Sequence, residues 1–133
     1  MTRRTIWTAM LLVLFGVATY AQGKQVTIKI TDLDKVTTTI SNASSSSSTG
    51  TSDFPVYQGS TQKEVKFEDL TWISVRHDLT PSDLNYIKLE LSFKDGTSGI
   101  FEMVRYVRFT GNKEEESFAI MVKEINTIEI VQK

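Results

Sequence analysis

Apolar residues in most of this chain recur at every second position, and that spacing constrains the fold more than any other feature. Residues 26–30 and 86–93 show the alternation most clearly. Neighbouring side chains on a strand point to opposite faces, so a period of two predicts strands with one buried face. No window of eleven or more residues has the apolar spacing of a helix, although residues 66–70 and 122–125 each suggest a single helical turn.

The turn residues divide these runs into a series of antiparallel strands. Asp95 and Gly96 follow the run at 86–93, and an Asp-Gly pair between alternating runs is a strong hairpin signal. Residues 100–109 then read as the returning strand and residues 111–116 as a polar hairpin tip. We predict an all-β fold, either an antiparallel sandwich or a partly closed barrel of seven to eight strands.

Two segments of the chain match each other without a gap, which predicts two pseudo-repeats. Residues 65–75 align with residues 120–130, and all five apolar positions agree. Weaker matches pair 26–30 with 87–91, and 57–60 with 109–112 once three residues are inserted in the second hairpin tip. The matching buried positions that this alignment predicts are Phe67 with Val122 and Ile73 with Ile128. A unit of about 50 residues cannot bury both faces of a sheet alone, so we expect the copies to pack face to face. The alternative is a coincidence in a chain that is 40% apolar.

Residues 1–21 have the pattern of a secretory signal peptide. Arg3 and Arg4 precede an apolar run, and Ala21 is the small residue before a polar one. We predict cleavage after Ala21, which leaves residues 22–133 as a single β domain that is secreted or periplasmic. The apolar run is shorter than the roughly 20 residues of a spanning helix, so we expect no stable membrane insertion after cleavage.

A serine-rich tract interrupts the apolar alternation. Residues 41–53 contain no apolar residue larger than alanine. Such a segment has little apolar surface whose burial could offset the entropy of ordering, so we predict a flexible surface loop.

Charge and cysteine content exclude several classes of partner and cofactor. Without the signal peptide, 13 basic residues face 16 acidic ones, a net charge of −3 with a neutral histidine. This balance argues against nucleic acid as a partner, because such binding requires a basic surface that neutralises phosphates. The chain has no cysteine, so neither a disulfide nor a thiol nucleophile is available.

The sequence contains no convincing catalytic or metal-binding motif. His77 is the only histidine. Neighbouring residues on a strand point to opposite faces, so Asp78 could orient the His77 ring only if the chain turns there. Residues 80–83 suggest such a turn, and we interpret His77 as a surface loop residue. No serine stands in a Gly-x-Ser-x-Gly context. The acidic residues at 32–34 and 114–116 read as solvated turns. We therefore predict no catalytic residue, no metal and no cofactor.

Aromatic side chains are the remaining candidates for a binding site. We single out Trp72, Tyr86 and Tyr106, because exposed aromatic rings on a sheet stack on sugars or grip peptides. Thr127 occupies the position of Trp72 in the second matching segment, so the fold tolerates a small polar residue there. Half-buried packing is the alternative role for a lone tryptophan.

The leading hypothesis is a small exported module that binds or scaffolds a glycan or another exported protein, without enzymatic activity. One alternative is a small glycan-active enzyme that relies on carboxylates alone. Its candidate residues are Asp69, Asp78, Asp83 and Glu124. Another alternative is an accessory subunit that pairs with a partner through an exposed edge strand.

Overall fold

The computed structural model describes residues 26–46 and 53–131, which form ten strands and two single-turn 3₁₀ helices. The strands are β1 (Ile28–Asp32), β2 (Thr37–Ser45), β3 (Asp53–Gln58), β4 (Thr61–Lys66), β5 (Leu70–Val75), β6 (Tyr86–Phe93), β7 (Ser98–Val104), β8 (Arg108–Lys113), β9 (Glu116–Met121) and β10 (Ile125–Ile130). The 3₁₀ helices are η1 (Phe67–Asp69) and η2 (Val122–Glu124). They confirm the two helical turns that the sequence suggests. Within this part of the chain no helix has the length and apolar character needed to cross a membrane. The predicted signal peptide at 1–21 lies outside the described residues.

All ten strands belong to one antiparallel sheet, which confirms the all-β class. The order across the sheet is β4-β3-β7-β6-β5-β10-β1-β2-β8-β9. The predicted number of seven to eight strands is too low, and the sandwich is not formed, because the described residues form a single curled sheet of ten strands. This half-barrel is closer to the partly closed barrel, the other form of the prediction. The returning strand predicted at 100–109 is in fact two strands, β7 and β8, which lie on opposite sides of the sheet's centre.

A tight turn separates β7 from β8. Val107 donates its N–H to the carbonyl of Val104 at 3.2 Å, and Arg105 donates to the carbonyl of Asn85 at 2.9 Å. The chain crosses here from one half of the sheet to the other without a glycine or a proline. Because residues 104–108 have the composition of a strand, the sequence alone does not signal this turn.

The two halves of the chain supply equivalent strands. The counterpart of β1 is β6, that of β2 is β7, and so on to β5 and β10. If each strand is exchanged with its counterpart, the sheet order is reproduced when read from the opposite edge. From β3 to β5 and from β8 to β10, every element begins and ends 55 residues apart, without an insertion. The inserted gap that the sequence alignment uses in the second hairpin is therefore absent. Gly59 and Glu114 occupy equivalent turn positions, with φ angles of 63° and 59°, whereas Gly111 lies inside β8.

Each half gives its hairpin to the other half. The hairpin β3–β4 lies beside β7, and the hairpin β8–β9 lies beside β2. Phe54 of β3 and Phe109 of β8 have ring centroids 5.6 Å apart. Seven strand spacings would separate these strands by roughly 34 Å in a flat sheet. The sheet must therefore curl strongly, and its concave side encloses the core.

The core confirms the burial predicted for the two matching segments. Phe67, Val122, Ile73 and Ile128 are all fully buried. The central strands β5 and β10 pair so that Ile73 lies directly opposite Ile128. The two equivalent residues meet at the middle of the sheet, on the line about which the strand order reverses.

Part of the serine-rich tract lies in strands and not in the predicted loop. The structure places residues 41–45 in β2 and Asp53 at the start of β3, so the loop prediction is wrong for them. Ala43 and Ser45 are each only 4% exposed, and Ala43 donates its N–H to Val26 at 2.9 Å. Main-chain pairing, which requires no large apolar side chain, orders this segment. Residues 47–52 lie outside the described residues.

Candidate functional site

Trp72 lies on the outer face of the sheet, opposite to the core. Its neighbours Ile73 and Leu70 are fully buried, whereas the Trp72 side chain is 39% exposed. β5 occupies one of the two central positions of the ten-stranded sheet. The indole therefore lies near the middle of the outer face of the ten-stranded sheet.

Polar side chains flank the indole on the two neighbouring strands. The residues directly opposite Trp72 are Glu129 on β10 and Ser92 on β6. Ser74 and Thr127 face each other one step further along the same face. Serine and threonine side chains are short, so the indole rises above their hydroxyl groups. These hydroxyl groups can accept or donate hydrogen bonds.

Tyr86 shares this outer face but lies far from Trp72. Ser92, opposite Trp72, is six residues along β6 from Tyr86, which corresponds to roughly 20 Å at the usual rise of a strand. The Tyr86 ring packs against that of Tyr57, with centroids 5.6 Å apart and planes tilted by 58°. Tyr86 is partly buried by this contact. It belongs to the same surface as Trp72, but the two rings do not form one contact site.

Tyr106 lies in the turn between β7 and β8, away from both other rings in the fold. Its side chain is 53% exposed. The guanidinium of Arg105 lies 5.7 Å from the ring centroid and the ammonium of Lys123 lies 5.3 Å from it. Cations at these distances are attracted to the ring face. The structure therefore places the three predicted binding residues in three separate surroundings, with only Trp72 and Tyr86 on one sheet face.

An ion-pair network lies next to this face at the end of β5. Arg76 donates to both carboxylate oxygens of Asp78, at 2.9 and 2.8 Å, and to Glu90 at 2.9 Å. The hydrogen bonds from Arg76 lower the pKa of Asp78 from 3.8 to about 2. The same contacts raise the pKa of Arg76. The carboxylate of Asp78 is therefore occupied and ionised at neutral pH.

The side chains of His77 and Asp78 have different hydrogen-bond partners. The Nε2 atom of His77 is 2.7 Å from the carbonyl oxygen of Ile125, whereas Asp78 is bound by Arg76. Asp83 accepts a hydrogen bond from the N–H of Asn85 at 2.8 Å, which is ordinary turn chemistry. The contacts of these two carboxylates are structural.

The remaining carboxylates of the enzyme alternative lie in the two 3₁₀ helices. Asp69 belongs to η1 and Glu124 to η2, at equivalent positions of the two halves. Both side chains are exposed. Asp69 precedes β5 and Asp78 follows it, so the length of that strand, roughly 20 Å, separates two of the four candidate carboxylates.

Sequence reasoning misses one buried carboxylate, that of Glu102. Glu102 is 9% exposed although its position on β7 faces outward. Its two oxygens accept hydrogen bonds from the N–H and the hydroxyl of Ser82, at 2.7 and 2.6 Å. The connection between β5 and β6 is thereby fastened over this end of the outer face. A single acidic residue inside the apolar run 100–104 is the sequence signal that marks it.

Trp72 is not among the lining residues of two shallow grooves in the described structure. One has a volume of about 510 Å³ and is lined by residues 80–85. The other has a volume of about 350 Å³. Its lining residues are Glu64, Val65, Asp69, Phe93, Lys94 and Asp95. Hydrogen bonds from Thr97 lower the pKa of Asp95, so this carboxylate is ionised and is no proton donor at neutral pH. Residues 26–46 and 53–131 contain no group of three or more residues suited to hold a metal ion.

Comparisons with protein-family models, with curated proteins and with solved structures found no match for this chain.

Proposed function

We propose that this protein is an exported, non-catalytic binding module whose outer sheet face contacts an extended glycan through Trp72. One observation carries the proposal: a 39% exposed tryptophan occupies a position where the equivalent strand of the same fold has Thr127. The fold does not require an aromatic ring there. Exposing a large apolar ring to water is unfavourable, and this cost is offset if a ligand covers the ring.

The surroundings of Trp72 favour an extended ligand with many hydroxyl groups. Trp72 lies on a sheet face and outside the two grooves described above, whereas small-molecule sites are enclosed. Ser74, Ser92 and Thr127 supply hydroxyls, and Glu129 supplies a carboxylate, beside the ring. An aromatic ring with such neighbours suits a sugar, whose apolar face stacks on the ring while its hydroxyls form hydrogen bonds.

Binding to polysaccharides tests the proposal. The mature protein is incubated with a panel of insoluble cell-envelope and plant polysaccharides, and the bound fraction is measured after centrifugation. We expect binding to at least one member, and a loss of at least tenfold in affinity for Trp72→Thr. Tyr106→Thr is the control, since it removes a more exposed ring outside the face. Equal binding by the two variants, or no binding to any polysaccharide, would contradict the proposal.

The enzyme alternative predicts a different result in the same experiment. A carboxylate-dependent hydrolase or lyase would release soluble sugars over time, and Asp69→Asn or Glu124→Gln would abolish the release. Under our proposal the amount of soluble sugar stays at the level of a protein-free sample.

We also propose that the protein is exported and built from an internal repeat. Export is supported by the pattern of residues 1–21, and a secreted form beginning at Gln22 in mass spectrometry tests it. The repeat is supported by the constant offset of 55 residues between equivalent elements and by the gapless match of residues 65–75 with residues 120–130.

A further inference from the structure

The two edges of the sheet are equivalent in the fold but opposite in chemistry. β4 forms one edge and β9 the other. The sequence of β4 is TQKEVK and that of β9 is ESFAIM. An exposed edge offers unpaired main-chain groups to any passing strand, and proteins protect such edges with charged residues.

β4 has this protection. Lys63 pairs with the buried Val56, so it occupies a core-facing position at the edge. The ammonium of Lys63 lies 5.7 Å from the centroid of the Phe101 ring. An apolar strand that paired with β4 would strip water from this charge, which is unfavourable. Glu64 and Lys66 add two further charges to the same short strand.

β9 lacks it. The residues equivalent to Lys63, Glu64 and Lys66 are Phe118, Ala119 and Met121. Phe118 packs against the core with partial exposure, and Ala119 is exposed. Apart from Glu116 at its start, the strand carries no charge.

The main-chain directions of β9 follow from the neighbouring ladder. Val122 donates its N–H to Val107 at 2.8 Å, and this pair continues the register of β8 and β9. Hydrogen-bonded pairs alternate with non-bonded pairs in an antiparallel ladder. The main-chain groups of Ser117, Ala119 and Met121 therefore point away from β8, toward the free edge.

We propose that β9 is an association edge at which a second copy of this chain pairs antiparallel, with Ala119 opposite Ala119 of the other copy. In this register the two copies of Ala119 meet at the symmetry axis. Their main-chain groups point toward each other, as a hydrogen-bonded pair requires. It also places Phe118 against Ile120 of the other copy, an apolar pair on the core-facing side. A twofold pairing of this kind is closed and yields a dimer.

The equivalent pairing through β4 is unfavourable. It would place Glu64 directly opposite Glu64 of the other copy, and like charges in that arrangement are destabilising. The distribution of charge thus favours association through β9 and not through β4. When two copies of β9 pair in this register, no like charges lie opposite each other. This inference concerns the sheet edge and does not depend on the proposed glycan site.

Sedimentation equilibrium of the mature protein, measured over a wide concentration range, tests the proposal. A single strand pair buries less surface than a standard interface, so we expect a weak monomer–dimer equilibrium. Ala119→Glu, which imports the residue of β4, should weaken dimerisation at least tenfold. The control Thr61→Glu imports the residue of β9 into β4 and should leave dimerisation unchanged.

Amide hydrogen exchange on the unmodified chain provides a second test that does not depend on a variant. The amides of Ser117, Ala119 and Met121 should exchange more slowly as protein concentration rises. A monomer at all concentrations, an undiminished dimer in Ala119→Glu, or open-ended polymers that Thr61→Glu alters would each overturn the proposal. The last outcome would mean that β9 pairs with β4 instead.

Discussion

The two halves of this protein agree on the inner side of the sheet and differ on the outer side and at the edges. Phe54 and Phe109 occupy equivalent positions and contact each other in the core. Leu70 and Ile125 are likewise equivalent, and both are fully buried. Burial therefore restricts these positions to large apolar side chains, whatever the rest of the half contains.

The outer positions are not restricted in this way. The outer position that is Trp72 in β5 is Thr127 in β10, and the core-facing edge position that is Lys63 in β4 is Phe118 in β9. Where the two halves have different residue types at equivalent positions, the fold requires neither type. The comparison thus separates residues that maintain the sheet from residues available for a ligand or a partner, and substitutions test that separation.

The largest expected effect is at the centre of the sheet. Ile73→Ala and Ile128→Ala should each destabilise the protein by about 2–5 kcal/mol, since each removes a fully buried side chain and leaves a cavity. Because the two residues face each other across equivalent strands, the losses should agree within about 1 kcal/mol. Urea denaturation measures both. Ile100→Ala is the control, as Ile100 is 37% exposed. A severe loss for only one of the buried pair would break the equivalence of the halves.

The second effect concerns a junction that the halves build differently. β2 has a register shift between Ser41 and Ser44 where it pairs with β8, with Asn42 at a φ angle of 53°. A Cβ on Gly111 would lie 2.6 Å from the carbonyl oxygen of Ser41. Gly111→Ala should therefore cost about 1–3 kcal/mol by overpacking.

Gly99→Ala is the matched control for this junction. The nearest atom to its added Cβ belongs to the Phe101 ring, at 3.2 Å, and a side chain moves aside more readily than backbone. Thermal unfolding of the two variants should show the larger drop for Gly111→Ala. The reverse order would show that the β2–β8 junction is the looser of the two.

Much of the fold is predictable from the sequence because burial leaves a periodic trace. The alternation at 86–93 corresponds to β6, and the match between 65–75 and 120–130 locates the four equivalent buried residues. The turns that contain Gly59 or Gly96 are also signalled, since both glycines adopt positive φ angles that other residues adopt rarely.

Features that depend on distant partners leave no such trace. The turn at 105–106 has no glycine or proline, so β7 and β8 read as one strand. Residues 41–45 read as a loop because their order comes from pairing with β8 and not from apolar side chains. The sequence indicates that Trp72 is replaceable, but only the register shows that it shares a face with Tyr86 and not with Tyr106.

A smaller effect is expected from replacing the exposed indole. Trp72→Thr should change the free energy of unfolding by less than about 1 kcal/mol, because the side chain is 39% exposed and Thr127 fills the equivalent position. Leu70→Thr, which alters a fully buried neighbour, should be far more damaging. Urea denaturation of both variants distinguishes a displayed ring from a packed one. A loss for Trp72→Thr close to that for Leu70→Thr would assign the indole to the fold and remove the main support for a glycan face.

The smallest effect is expected from the ion pair between Arg76 and Asp78, and the residue equivalent to Arg76 in the second half is Val131. The pair of Arg76 and Asp78 lies in the connection from β5 to β6, and β10, the equivalent of β5, is the last described strand. The pKa of Asp78 is lowered from 3.8 to about 2 by Arg76, so the folded state holds the ionised form more strongly than the unfolded state does. The stabilisation is therefore fully present above pH 3.8 and is lost as the pH falls toward 2. Because both groups are solvent-exposed, the loss should appear as a shallow slope in stability and not as a separate transition.

Carboxyl titration by NMR isolates this contact from the rest of acid unfolding. Arg76→Gln should return the midpoint of Asp78 toward 3.8, since it removes both hydrogen bonds to the carboxylate. Glu90→Gln is the control, because Glu90 accepts from the other nitrogen of Arg76 and should leave the midpoint of Asp78 nearly unchanged. A midpoint near 3.8 in the unmodified protein would mean that water screens the pair in solution. Arg76 would then be held at the end of β5 by Glu90 alone, and the two halves would differ less in their electrostatics than this structure indicates.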